Sequence, residues 1–435
     1  MHISNRDVLL DRPEPARTAR RDALDMLEAA LDSVDPYQAT RNALSLEDGN
    51  LSAGEVTIDL ASIADVYVIG FGKASVGMAR AVETLLPVTD GLIISTGEAD
   101  LEYIGVRQGD HPLPSQRNVE ATRELLDLLD QAGPDDLVIG LISGGGSALL
   151  CQPSISLEAM REVTRRLMQA GCTIQELNTV RKHLSAVKGG QLAARCQARI
   201  LSLVISDVIG DPLAFIASGP MAPDPTTYTD ARDVLKKYEL WRDGEVMRHI
   251  ESGCHGDQME TPARLENVDH VIVANNERAC RHACTAAQRK GYHCDVASTT
   301  LSGEARQVGR DVARYVKLLP REHAAVVFGG ETTVTVNGNG SGGRNQELVL
   351  GALEEIVGER LVLLSCGTDG VDGSSPAGGA IADGDTLQRA HQENLDPAAA
   401  LRENDSYGFF DALGDAIMTG PTGTNVMDIQ IIIKY

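Results

Sequence analysis

Aromatic residues are scarce in this chain: five Phe, nine Tyr and one Trp make up 3% of 435 residues. The core must therefore be aliphatic, rich in Val, Ile, Leu and Ala, as in proteins with a buried parallel sheet. Basic residues are also in deficit, 39 Lys and Arg against 62 Asp and Glu, for a net charge of −23. That balance argues against a general nucleic-acid or anionic-membrane surface. No apolar run approaches the roughly 18–20 residues of a membrane span. The opening MHISNRDVLLDRPEPARTARR has no apolar stretch of signal-peptide length. Eight cysteines without a C-x-x-C pair fit a reducing compartment. The expectation is a cytoplasmic protein with no nucleic-acid and no membrane partner. Cys280, His282, Cys284, His293 and Cys294 cluster, and zinc is thinkable there, but buried free thiols are the commoner explanation.

What is present is centred on Val138 to Leu150, VIGLISGGGSALL. A buried apolar strand runs into Ser143, Gly144, Gly145, Gly146 and Ser147. Glycines at a strand end leave backbone N–H groups uncovered, and such a turn opening a helix suits a phosphate or carboxylate. An anion needs local positive charge in so acidic a chain. From Arg161 to Arg199 there are eight Lys/Arg and two acids, a local balance of +6. Part of that cluster is a solvated helical face; its closeness to the glycine turn is what stands out.

The length suggests about two domains. Leu24, Leu27, Leu31 and Val34 repeat at helical spacing in an amphipathic helix that begins at Arg17. Apolar strands at 66–70, 91–95, 137–142 and 201–206 alternate with helices at about 74–86, 116–129, 157–170 and 174–194, and Ser115 is a good N-cap for the second of these. The polar stretch 241–266 marks a boundary, and HVIVA (270–274) then starts a second alternating unit. ETTVTV (331–336) alternates with period two and reads as a strand. A flexible loop, Asn337 to Arg344, carries four glycines. The expected fold is α/β in two domains, 1–262 and 263–435, with parallel sheets in both halves. Ligands in such sheets bind beyond the strand C-termini.

The chemistry-bearing residues fall at those strand ends. Gly70-Phe71-Gly72-Lys73 resembles a dinucleotide fingerprint, but Ser75 stands where the third glycine belongs, and Ala74 replaces the hydroxyl of a P-loop. What remains is a lysine at a helix N-terminus, a position that repels cations unless an anion lies between. Arg344 also precedes a helix, and its guanidinium can clamp a carboxylate or phosphate in bidentate fashion. Asp207, Asp211, Asp369 and Asp372 follow strands through short turns, where carboxylates bind Mg²⁺, accept a proton or simply close Asx-turns. Two glycine cradles, a lysine, an arginine and carboxylates suit phosphoryl transfer, which asks mainly for positioning and charge neutralisation.

The ordered motifs GFGKA (70–74), GDHPLPS (109–115), ISGGGSALL (142–150), NTVRKHLSAVKGGQLA (178–193), ISDVIGDPLAFIASGP (205–220), GGETTVTV (329–336), GGRNQEL (342–348), GTDGVDG (367–373) and GPTGTNVMDIQI (420–431) together resemble the class II glycerate kinases. These are the glycerate 2-kinases with a C-terminal MOFRL-type domain, and the likeness runs from about residue 20 to the end. The resemblance implies a larger Rossmann-like domain (1–262), a smaller MOFRL-type α/β domain (263–435) and an active site in the cleft between them. It implies ATP-dependent phosphorylation of D-glycerate at the 2-hydroxyl, with Mg²⁺, to give 2-phosphoglycerate and ADP.

The family's catalytic lysine and arginine map onto Lys73 and Arg344. Asp207 is the expected carboxylate near the 2-hydroxyl or the metal. Gly72, Ser143 to Ser147 and Arg181 are expected to hold substrate or phosphate; Glu331, Asp369 and Gly370 the nucleotide; Asp207 and Asp369 the metal. Small-molecule substrates are the partners, and a homodimer is the expected assembly, although no residue pattern specifies it. Two rivals are an NAD(P)H-dependent hydroxypyruvate reductase, a label some relatives carry, and a non-enzymatic sugar-phosphate sensor.

Overall fold

The computed structural model describes residues 2–242, 244–320 and 322–435. The chain forms two compact units. One is the continuous segment Pro36–Val273; the other joins the residues up to Asp35 to Ala274–Tyr435. The expected division at 262/263 therefore differs in two places. The N-terminal helix, Ala16–Ser33, belongs with the C-terminal unit. HVIVA does not open the second unit: it forms the outer strand of the first unit's sheet.

The middle unit begins with a helix, Pro36–Ala43, followed by a small antiparallel meander, β1 (Leu44–Glu47), β2 (Asn50–Ala53) and β3 (Val56–Asp59). Its main sheet contains β4 (Val66–Phe71), β5 (Asp90–Ser95), β6 (Ile104–Gln108), β7 (Leu137–Ile142), β8 (Arg199–Ile205) and β9 (Val268–Ala274), in the order β6-β5-β4-β7-β8-β9. The pairings β6/β5, β5/β4, β4/β7 and β7/β8 are parallel. Succession runs outward one way from β4 and the other way from β7, so the order reverses between them. Phe71 is in register with both Ile94 and Ile142, and Ile142 with Val204. Four strands thus end level, and their following turns share one edge.

The central strands of this sheet are apolar, as a doubly covered sheet demands: every residue of β7 is buried. Ile69, Phe71, Ile94 and Val138 pack with Leu125 and Leu129 of the helix Gln116–Leu129. Ser115 caps that helix, accepting from the Arg117 N–H at 3.2 Å, with Asn118 completing a capping box. The helix expected over 174–194 is broken. It runs from Ile174 to His183 and resumes at Gln191. Gly189 and Gly190 take φ of +57° and +81° between the pieces, a backbone state that favours glycine.

The other unit has a sheet of β10 (His293–Leu301), β11 (Ala324–Gly330), β12 (Leu361–Gly367), β13 (Gly379–Asp383), β14 (Ala416–Ile417) and β15 (Asp428–Lys434). The order is β10-β11-β15-β12-β13-β14. Only β10/β11 is parallel; β15 runs antiparallel to both its neighbours, and β12/β13/β14 are antiparallel too. The parallel sheet expected here is therefore a mixed one. ETTVTV is not a strand either. Beyond β11 it makes one bridge, Thr333 to Glu304, because β11 stops at Gly330, where φ is +142° and the backbone closes on Leu301.

The N-terminal helix joins this unit through an apolar face of Leu24, Leu27 and Leu31 and through Arg20, which is wholly buried. Arg20 donates to Asp383 and Asp415, each at 2.6 Å. A buried arginine tolerates such a place only with this pairing.

Candidate active site

The turn after β4 and the turn after β7 interlock. Lys73 donates its backbone N–H to the Gly144 carbonyl at 2.9 Å, and the Ala74 N–H donates to the Ser143 hydroxyl at 3.1 Å. Gly72 has φ of +128°, and a Cβ there would sit 2.1 Å from the Ser143 Oγ. Gly72 and Ser143 are thus spent on joining two turns. Ser143 is 1% exposed, and its hydroxyl accepts the Ala74 N–H. Gly146 is likewise buried, against Ala217 and Phe71.

Gly144 is buried too, and Gly145 and Ser147 are the partly exposed residues of the turn. A Cβ on Gly144 would lie 2.4 Å from the Asp207 Oδ2, so a glycine is what admits that carboxylate. Gly145, at φ +84°, faces the His111 ring and the Lys73 stem at 3.2 and 3.3 Å from the position of a Cβ. Asp207, Lys73 and His111 therefore converge on two adjacent glycines at the β4/β7 reversal, the crevice where doubly wound sheets take ligands. Partial burial, and the Lys73 ammonium beside it, hold the His111 imidazole below its ordinary value.

The basic cluster divides. Arg165 and Arg166 pair with Glu162, Arg195 with Asp130 and Arg199 with Asp269, all on the surface. Lys182 is buried with Asp224 at 3.2 Å. Arg181 and Lys188 differ. Arg181 donates to the Ser147 carbonyl at 3.1 Å, and Lys188 donates to the same oxygen at 2.8 Å and to the Leu150 carbonyl at 2.9 Å. Among the described residues no carboxylate lies within ion-pair distance of Lys73, Arg181 or Lys188. Burial, reinforced by Arg181, pushes the Lys188 ammonium down to about 7. Lys188 was not singled out from sequence; the Gly189-Gly190 pair that follows it was the available signal.

In the other unit Arg344 is already clamped. Its Nε and Nη2 donate to Asp428 at 2.6 and 2.9 Å, and Nη1 donates to Glu331 at 2.6 Å. Gly330 and Gly367 flank Asp428 in register, so Glu331, Asp428 and Thr368 share a strand-end edge. Burial pushes Asp428 up to about 6 against the pull of Arg344. Burial opposes the Arg344 charge as well, yet Asp428 and Glu331 hold it above its ordinary range.

Asp372, 1% exposed, accepts from the Asn345 and Gln346 backbone N–H groups at 3.0 and 2.8 Å and so caps the helix Arg344–Ile356. Asp369 closes an Asx-turn with the Val371 N–H at 3.1 Å. Gly370, φ +81°, packs against the Gly420 carbonyl. Sequence reasoning found Arg344 and Glu331 but missed Asp428, which lies 84 residues away from Arg344.

Asp207 and Asp369, expected as metal ligands, lie in different units. Among the described residues no group of three or more His, Cys, Asp or Glu is arranged to hold a metal ion. Cys280, Cys284 and Cys294 are buried free thiols whose burial pushes each of them up.

The fold is that of a doubly wound α/β protein with a mixed-sheet companion unit. Residues 22–251 match a domain of unknown function, DUF4147, and residues 324–428 match the MOFRL family. The chain is 39% identical over 433 residues to glycerate 2-kinase of Pyrococcus horikoshii, covering 96% of this chain and 98% of that protein. It is 37% identical over 424 residues to D-glycerate 2-kinase of Thermotoga maritima, covering 94% and 97%. An Agrobacterium vitis protein named "Putative hydroxypyruvate reductase" is 39% identical over 84% of this chain and 86% of its own. The crystal structure of glycerate kinase from T. maritima superposes with a TM-score of 0.87 at 36% identity, covering 96% of this chain and all of that one. This chain belongs to the glycerate 2-kinase family that carries the MOFRL domain, and it is an enzyme of that kind.

Proposed function

We propose that this enzyme transfers the γ-phosphoryl group of ATP to the 2-hydroxyl of D-glycerate, giving 2-phosphoglycerate and ADP. The observation that carries the reading is the set of three cations, Lys73, Arg181 and Lys188, that lack carboxylate partners among the described residues of an acidic chain. Uncompensated positive charge beside a glycine turn at a sheet reversal is the electrostatic requirement for a carboxylate and a phosphoryl group. In this reading Arg181 and Lys188 stabilise the substrate anion through the turn, with Gly144 and Gly145 giving it room. Lys73 neutralises the moving phosphoryl group, and Asp207 accepts the proton of the attacking hydroxyl. The hydroxyl oxygen bonds to the γ-phosphorus as the bond to the ADP oxygen breaks.

Arg344 joins Lys73 in neutralising the moving phosphoryl group, and Glu331, Asp369 and Gly370 take the nucleotide. Asp207 and Asp369 are the carboxylates that would hold a magnesium ion, which needs only one or two from the protein and would supply further neutralisation of phosphate charge. The protein works in the cytoplasm on small-molecule substrates, as a homodimer.

Reductase activity is the second reading, favoured by the name of the A. vitis relative. Against it, Ser75 stands where a dinucleotide fingerprint needs glycine, and Gly72 is used up against Ser143. Incubation with D-glycerate and ATP–Mg²⁺, with the product assigned by phosphorus NMR, tests the proposal. Formation of 2-phosphoglycerate with stoichiometric ADP supports it. Oxidation of NADH by hydroxypyruvate without any ADP in the first assay overturns it.

A further inference from the structure

The exit of the glycine turn carries a chain of hydrogen bonds whose direction can be assigned. The Ser147 and Ser218 hydroxyl oxygens are 2.8 Å apart, and Ser218 donates to the Asn178 Oδ1 at 3.0 Å. Ser218 is fully buried and Asn178 is 2% exposed. Ser218 lies in a run with Ala217 and Gly219, at φ of +66°, +52° and +61°. Two successive non-glycine residues held left-handed are a backbone state that persists only where the surroundings enforce it.

A hydroxyl has one hydrogen to give. Ser218 gives its hydrogen to Asn178, so Ser147 must be the donor to Ser218. The one proton of Ser147 is then committed, while its half-buried Oγ keeps free lone pairs. The Ser147 carbonyl is taken as well, by Arg181 and Lys188. The side chain is left able to accept a hydrogen bond and unable to donate one. A carboxylate or phosphate oxygen needs donors, so this serine is mismatched to an anion; a substrate O–H matches it.

The relay also ends at an amide oxygen, which takes no proton. It cannot deprotonate an attacking hydroxyl as an imidazole or carboxylate would. The hydroxyl it receives therefore keeps its hydrogen throughout the reaction. We propose that Ser147 is a specificity-determining residue that accepts the hydrogen bond of the non-reacting hydroxyl of the substrate, the 3-hydroxyl of glycerate, with Ser218 and Asn178 fixing its polarity. This rests on the kinase reading above and adds to it which group Ser147 touches.

The test compares D-glycerate with D-lactate, which has the carboxylate and 2-hydroxyl but lacks the 3-hydroxyl. For the wild type and Ser147→Ala, kcat/KM for glycerate and the competitive Ki of lactate are measured. The expected result is a roughly 10- to 100-fold loss in kcat/KM for glycerate, because a polar site built for a hydroxyl discriminates strongly by it. The lactate Ki should change by less than about 2-fold, since lactate brings no hydroxyl to lose; the unchanged Ki also reports an intact fold. Ser218→Ala, which frees the Ser147 proton, should move glycerate in the same direction by a smaller factor.

A lactate Ki that rises in parallel with the glycerate loss would show Ser147 holding the anion and overturn the proposal. So would glycerate kinetics that do not respond to Ser147→Ala. Absence of glycerate phosphorylation in the wild type would instead end the kinase reading, which separates the two failures.

Discussion

The two units each place a cation beside glycines at the end of a strand, and the two placements are electrostatic opposites. Lys73 meets Gly145, His111 and the backbone of the neighbouring turn, with no carboxylate at ion-pair distance among the described residues. Arg344 sits between two carboxylates, one of them fully buried. The first arrangement leaves charge unspent and can receive an anion as it stands. The second is self-neutralised, so an anion reaching Arg344 must compete with Asp428 or Glu331. A glycine-flanked cation in a sequence says where charge is delivered, and only the partners say whether it is available.

The contrast is broken most forcefully at Arg344. Arg344→Ala strands the buried Asp428 without its bidentate partner. The expected loss is about 3–5 kcal/mol of stability together with a fall in kcat of about 10²-fold or more, read from denaturant unfolding and steady-state kinetics. If the variant keeps its stability, the clamp is not structural. Lys73→Ala should lower kcat by about 10²-fold or more yet change unfolding free energy by no more than about 0.5 kcal/mol. A marked loss of stability in that variant would erase the distinction between the two cations.

A smaller effect separates the units by pH. Burial raises Asp428 to about 6, so the folded state keeps a proton that the unfolded carboxylate, at about 3.9, has released. Between those values the folded state binds more protons, and stability must fall as pH rises through the window. Asp428→Asn should flatten that segment of the stability profile measured by urea titrations. The smallest effect belongs to Lys188, depressed to about 7 by burial. Substrate seated near it should restore its charge, so binding at about pH 8 takes up a fraction of one proton. Calorimetry in buffers of different ionisation enthalpy reads that uptake, and Lys188→Met should abolish it.

Much of the middle unit was legible in the sequence because its signals are local. Apolar strands that break into glycine turns give both the parallel sheet and the edge where Lys73, Gly145 and Asp207 gather. Ser115 announces its helix by capping chemistry alone. The losses are long-range. HVIVA has the same pattern whichever sheet it joins, and ETTVTV runs beside residues 301–305 through a few backbone hydrogen bonds without becoming a strand of the sheet. Asp428 reads as the polar start of an ordinary strand until β11 and β12 bracket it and Arg344 reaches across. The helix Ala16–Ser33 showed its apolar face but not its host.

One feature of the mixed sheet bears on how the chain is made. Its strand β15 is synthesised after every other strand, yet it occupies an inner position between β11 and β12. The unit it completes also draws on residues 2–35. The middle unit has all its strands in hand by residue 274 and can assemble as translation proceeds. The helix Ala16–Ser33 must wait, its leucines uncovered, while some four hundred residues follow it through the ribosome. Chaperone dependence during expression should therefore track that early helix, and a silent slowing of translation should lengthen its exposure.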